Sequence, residues 1–206
     1  KVLLVLQSTQ NVDVTLVPLE HKIDENWSLA TDSQGLRKQQ HIFRDLKLSL
    51  EGQEPSVISL KAEAEDIEQG HAGLDELVQN MWETMYGADG VGLAAPQVGL
   101  SIRLFVCDGS PFAEGEKGDP GCQDFKRVMI NPVLFDESED TGEMEEGCLS
   151  IPGIREGVER PNSISVEYYN ENWELVEERL TGLAARIVQH ENDHLDGVLI
   201  TDHLTP

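Results

Sequence analysis

Gln189-His190-Glu191-Asn192-Asp193-His194 reads His-Glu-x-x-His inside a run compatible with a helix. Residues four apart lie on one helix face, so His190 and His194 can offer both imidazoles to a single metal ion. Glu191 then projects beside that ion, within reach of a metal-bound water, where a general base belongs. The helical pattern runs over 181–195 and places Leu183 and Ile187 ahead of the histidines on the same face.

Two imidazoles do not complete a metal site, and the chain downstream offers little more. A metzincin pattern needs a further histidine after a glycine; Gly197 is present, but the histidine position is Ile200. A thermolysin-like site needs a downstream glutamate, and none follows Glu191. His203 is the remaining downstream alternative, past the apolar run Val198-Leu199-Ile200. The strongest candidate lies upstream: Cys148 in Glu146-Gly147-Cys148-Leu149-Ser150, beside a glycine that allows close backbone approach. A Cys-His-His set leaves the fourth tetrahedral position to water, as a catalytic centre requires. Its thiolate suits iron(II) as well as zinc.

Three separated segments together resemble the signature motifs of the peptide deformylase family. They are Gly90-Val91-Gly92-Leu93-Ala94-Ala95-Pro96-Gln97, then Glu146 to Ser150, then Gln189 through Gly197, in that order. The resemblance covers roughly residues 52–204, leaving 1–50 as an N-terminal extension or irregular arm ahead of a catalytic domain over 51–206. It implies a metal-dependent hydrolase that removes the formyl group from formyl-methionyl peptides. Iron(II) is the metal the family implies, with zinc, nickel or cobalt able to substitute. An endopeptidase or another amidase built on the same centre is the alternative reading.

The resemblance also distributes roles. Cys148, His190 and His194 are the implied ligands and Glu191 the general base and then acid. The Gln97 side-chain amide and the Leu149 backbone N–H are the implied donors to a developing oxyanion. Val91 and Gly92 form a backbone strip suited to hydrogen-bonding an extended peptide, and Glu146 and Gly147 border the substrate. Leu183 and Ile187, with Val91 and Met144, line an apolar slot beside the metal for the initiator side chain.

Composition narrows the class further. The 206 residues make one domain the simplest expectation. They carry 39 acidic against 15 basic side chains, a formal charge of -24. That balance argues against direct nucleic-acid binding, which phosphate neutralisation by Lys and Arg drives, and against anionic membrane surfaces. Cys107, Cys122 and Cys148 have no disulfide-framework spacing and suit a reducing compartment. The expectation is a soluble, cytoplasmic protein acting on N-formylated nascent peptides, with ribosome proximity possible on functional grounds alone.

The pattern along the chain predicts strands over 2–6 and 12–17, around Leu104 and around Val166. Leu74, Leu77, Val78, Met81, Trp82 and Met85 recur at helical spacing before Gly87 and predict a helix packed beneath a sheet. A Gly-, Pro- and acid-rich loop joins Asp108 to Lys126. Strands that cluster rather than alternate with helices predict an α+β fold. The resemblance specifies small antiparallel or mixed sheets around a central metal-binding helix.

Overall fold

Leu104-Phe105-Val106-Cys107 carries apolar side chains at consecutive positions, and all four are fully buried. A strand pleat sends neighbours to opposite faces, so such a run needs cover on both sides. The computed structural model supplies it. It describes residues 58–114 and 118–204, together with two short strands near the N-terminus.

The elements are, in order, β1 (Val5–Gln7), β2 (Val14–Leu16), β3 (Ile58–Ser59), α1 (Leu74–Gly87), β4 (Gly92–Ala94) and β5 (Leu104–Asp108). There follow β6 (Lys126–Phe135), β7 (Thr141–Cys148), β8 (Ile151–Pro161), β9 (Ser163–Tyr169), β10 (Leu175–Thr181) and α2 (Gly182–Leu195). Five strands form an antiparallel sheet in the order β10-β9-β6-β5-β4. β7 and β8 form a separate hairpin, and β1, β2 and β3 a third small sheet. The architecture is α+β, as expected. β1 overlaps the strand expected over 2–6 and runs one residue past it, and β2 falls within the one expected over 12–17; the remaining residues of both lie outside those described.

The two helices cover opposite faces of β5. Leu104 and Val106 join Leu74, Leu77, Val78, Met81 and Met85 of α1 in one core. Phe105 and Cys107 join Ala184, Ala185, Ile187 and Val188 of α2 in the other. The stripe read from 74–85 is therefore core. α2 is buried nearly all round, including Arg186, Gln189, Glu191, Asn192 and His194. A helix that buries so many polar groups must satisfy them internally, and the hairpin β7–β8 provides the partners.

Period-two alternation sets what that hairpin presents. Glu146 and Cys148 are buried on one face of β7 while Gly147 between them is exposed. Leu149 and Ser150 make the turn, after which Ile151 pairs back with Cys148. Sequence inspection did not single out this hairpin as strands, because Thr141-Gly-Glu-Met-Glu-Glu is poor in the residues that favour them.

Candidate active site

α2 projects His190 and His194 toward the end of β7, where Cys148 sits. The ligand atoms of Cys148, His190 and His194 all lie within 4.8 Å of one another. Cys148 Sγ stands 3.2 Å from His194 Nε2. His190 is turned so that Nδ1 meets Glu146 Oε2 at 2.9 Å. With Nδ1–H donated to that carboxylate, Nε2 is the nitrogen left to ligate a metal once it gives up its own proton, a common arrangement behind ligating histidines. Burial alone would raise the Cys148 thiol, but the charge of His194 and hydrogen bonds from His190 and His194 hold it well below its ordinary value. Burial likewise opposes a charge on His190, yet Cys148 and Glu146 lift it to about 10. The cysteine is therefore poised as a thiolate, the form that ligates. The residues fit a divalent ion.

Glu146 does more than border the substrate, the place the sequence suggested for it. It lines the cavity, and its carboxylate accepts from Arg160 at 2.7 and 3.0 Å, from Arg186 at 3.1 Å and from His190. Burial would raise it; the hydrogen bonds from His190 and Arg160 win and hold it at about 2. Arg186 also donates to the carbonyls of Val158 and Gly142, which ties α2 to both strands of the hairpin. Arg160 reaches on to Asp193 at 2.8 Å. Neither arginine was visible as a site residue in the sequence, because nothing local marks a partner 14 or 40 positions away.

Glu191 lies on the other side of the cluster, over β4. It is 4% exposed, and its Oε2 has no hydrogen-bond partner among the described residues. Burial raises its pKa to about 7, against the pull of the His190 and His194 imidazoles. A Cβ at Gly92 would overlap the Glu191 carboxylate, so only glycine lets this side chain lie against the strand. Gly92, read from sequence as part of a peptide-binding strip, therefore also makes room for Glu191.

Gln97 is 1% exposed in the short 3₁₀ turn Ala95–Val98 after β4. Its Oε1 accepts from the Ala94 N–H at 2.8 Å, which orients the amide, and its Nε2 donates to Ser150 Oγ at 2.9 Å. The same nitrogen is 3.8 Å from Cys148 Sγ. The Ser150 partner was missed from sequence, although it lies within the second motif. Leu149 occupies the adjacent turn and borders the same space.

That space is a cavity of about 650 Å³. Val91, Gly92, Met144, Glu146, Gly147, Leu183 and Ile187 all line it, together with Gln97, Cys148, Leu149, His190 and Glu191. The slot expected from sequence is thus one continuous hollow, and Phe112 and Arg155 are added to its wall. A larger hollow of about 910 Å³ lies against another face of α2, beside Gln189, Asn192, Asp193 and Asp196. None of the clustered ligands lines it. His203, the alternative third ligand, faces that side and pairs with Asp193 at 2.7 Å.

The family model for polypeptide deformylase matches residues 50–206. The chain is 49% identical over 150 residues to a peptide deformylase of Christiangramia forsetii, covering 71% of this chain and 76% of that protein. It is 49% identical over 149 residues to one of Salinibacter ruber, with the same coverage of both. Among solved structures, the peptide deformylase of Thermotoga maritima superposes with a TM-score of 0.63 at 43% identity, covering 71% of this chain and 91% of that one. One from Synechococcus elongatus in complex with actinonin superposes with a TM-score of 0.61 at 38% identity, covering 71% and 74%.

Proposed function

The chain belongs to the polypeptide deformylase family, and from that premise we propose how its residues divide the work. The enzyme is a metal-dependent hydrolase that removes the N-formyl group from nascent polypeptides and releases formate. The observation that carries the division of roles is convergence: three segments far apart in sequence meet at one cavity, with an unpartnered buried carboxylate facing it.

Cys148, His190 and His194 hold one divalent ion, iron(II) in this reading, with zinc, nickel or cobalt able to replace it. Such an ion supplies Lewis acidity toward the formyl oxygen and acidifies a water. Glu191 takes the proton of the attacking water and delivers it to the departing amine. A carboxylate whose pKa sits near neutrality is matched to both halves of that transfer. Gln97 Nε2 and the Leu149 N–H donate to the oxygen on which negative charge grows, and the Ala94 contact fixes the amide beforehand. Glu146, Arg160 and Arg186 are positioning residues: they hold His190 in the tautomer that can ligate.

The peptide lies along β4, whose outer side is the edge of the five-stranded sheet. Its first side chain enters the slot beside Ile187 and Leu183. Residues 51–206 act as the catalytic unit, and 1–50 are given no role. Substrates in this reading are N-formylated chains met near the ribosome in the cytoplasm.

The test uses metal-loaded protein with formyl-Met-Ala-Ser and, separately, acetyl-Met-Ala-Ser. Formate release matching the appearance of free amine, with far slower acetate release, is the expected result. Cleavage of the Met-Ala bond, or equal rates on both acyl groups, would overturn the reading.

A further inference from the structure

The insertion between β5 and β6 begins as an acid-rich loop in the sequence, yet its first turn is firmly held. Asp108 Oδ2 accepts from Tyr86 Oη at 2.5 Å, and its Oδ1 accepts from the Ser110 N–H at 3.0 Å and Ser110 Oγ at 2.5 Å. The Asp108 N–H donates to the Val91 carbonyl at 2.8 Å, so the turn is fastened to α1 and to the chain entering β4. Phe112 then closes a 3₁₀ turn, its N–H bonded to the Gly109 carbonyl at 2.9 Å and its own carbonyl accepting from the Asp119 N–H at 2.8 Å.

Asp119 in turn reaches the start of α2. Its Oδ2 accepts from the Leu183 N–H at 2.6 Å, capping a helix whose first residue, Gly182, has φ +58°. A side chain at Gly182 would collide with that carboxylate as well as strain the backbone. The turn is thus clamped at one end by Tyr86 and at the other by the N-terminus of the motif helix. Between the clamps stands a phenyl ring that is 44% exposed and lines the cavity with Leu183 and Ile187. An aromatic ring left that open while held by a network of polar contacts has no account in core packing.

Leu183 precedes His190 by seven residues, about 10 Å along the helix axis. An unbranched side chain that begins beside His190 and runs past Ile187 therefore heads for Leu183 and the ring. We propose that Phe112 is a specificity-determining residue, closing the far end of the slot against the tip of the substrate's first side chain. This rests on the deformylase reading of the same site and adds to it the feature that favours a long, unbranched apolar side chain over a short one.

The experiment measures kcat/KM for formyl-Met-Ala-Ser, formyl-norleucyl-Ala-Ser and formyl-Ala-Ala-Ser with metal-loaded wild type, Phe112→Ala and Phe112→Leu. Phe112→Ala is expected to lower kcat/KM on the methionine and norleucine peptides roughly tenfold, the scale of a lost apolar contact in a pocket. The alanine peptide, too short to reach the ring, should change by less than about twofold on the same argument. Phe112→Leu should recover most of the loss. A uniform fall on all three peptides would make Phe112 a fold-supporting residue and overturn the proposal, as would no change on any. Absence of formate release by wild type from every peptide would instead defeat the deformylase reading, and the proposal with it.

Discussion

Two buried glutamates flank one pair of histidines and are treated in opposite ways. Glu146 is surrounded by Arg160, Arg186 and His190 and is held at about 2. Glu191 keeps one oxygen without a partner and is lifted to about 7. Burial acts on both in the same direction, so the difference is made by neighbours. In the proposed division of roles, the carboxylate assigned to stay charged and still is saturated with donors. The one assigned to gain and lose a proton keeps an oxygen without a partner among the described residues, and even the strand beneath it gives up a side chain at Gly92. The contrast separates holding the centre from running it.

Glu191→Gln attacks the reactive member. Glutamine keeps the size but cannot accept the water proton, so turnover should fall by about two to four orders of magnitude with the metal retained. Steady-state formate release and metal analysis on the same sample check both halves. A variant with most of its rate would move the base elsewhere.

The same substitution exposes the thermodynamic side of the contrast in chelated protein. Glu191 has a folded value of about 7 against 4.5 in the ordinary chain. Below 4.5 both states hold the proton; between 4.5 and 7 the unfolded chain gives it up first; above 7 the folded state carries a buried charge. Stability from this group is thus present at low pH and lost as pH rises through 7. Glu191→Gln should therefore gain on wild type with rising pH, by up to about 3 kcal/mol at pH 8. Urea denaturation at pH 5 and pH 8 reads the difference, and a pH-independent gap would mean the burial is relieved by solvent.

Glu146→Gln addresses the structural member. It leaves two arginines facing a neutral amide and frees His190 to rotate, so metal affinity should drop by about 10- to 100-fold. Competition with a chelator measures it. If affinity held and only turnover changed, the two glutamates would not be divided as described.

Gly92→Ala tests the space the reactive member needs. The methyl would overlap the Glu191 carboxylate, and displacing a catalytic group by even about 1 Å can cost as much as 10²-fold. The part of the shift borne by the side chain rather than the strand makes about tenfold in kcat the expected loss, with KM little changed. An unaffected kcat would show that Glu191 reaches its water from another rotamer.

The role proposed for Glu191 was legible in the sequence, whereas Glu146 was placed at the site without its structural role. His-Glu-x-x-His announces Glu191 because helical spacing turns three letters into a geometry. Glu146 was marked by the second motif only as a residue bordering the substrate; its contact with His190 was not legible, and its arginines come from another strand and from the motif helix. α1 and α2 were readable from apolar period; β5 and β9 from the alternation of Ile102, Leu104 and Val106 and of Ile164, Val166 and Tyr168. The hairpin β7–β8 was not singled out, since its outer face is charged and its stability comes from pairing and from α2. Gln97 was reachable through the motif it closes, whereas Ser150 beside it gave no sign of its hydrogen bond. Phe112 was hidden inside a loop whose composition suggests mere solvation.

The cluster also bears on its own assembly. Cys148 closes the first strand of a hairpin, beside its turn, while His190 and His194 lie on the last α-helix described, more than forty residues later in the chain. No local segment can gather the three ligand atoms; the hairpin must already have closed onto a helix that is itself sandwiched against the sheet. Gathering ligands over that distance costs loop-closure entropy, so under the proposed ligand assignment full coordination is expected only where hairpin and helix have met, and binding and folding are coupled. If the proposed ligands hold the ion, its occupancy reports on a fold in which hairpin, helix and sheet have all found one another.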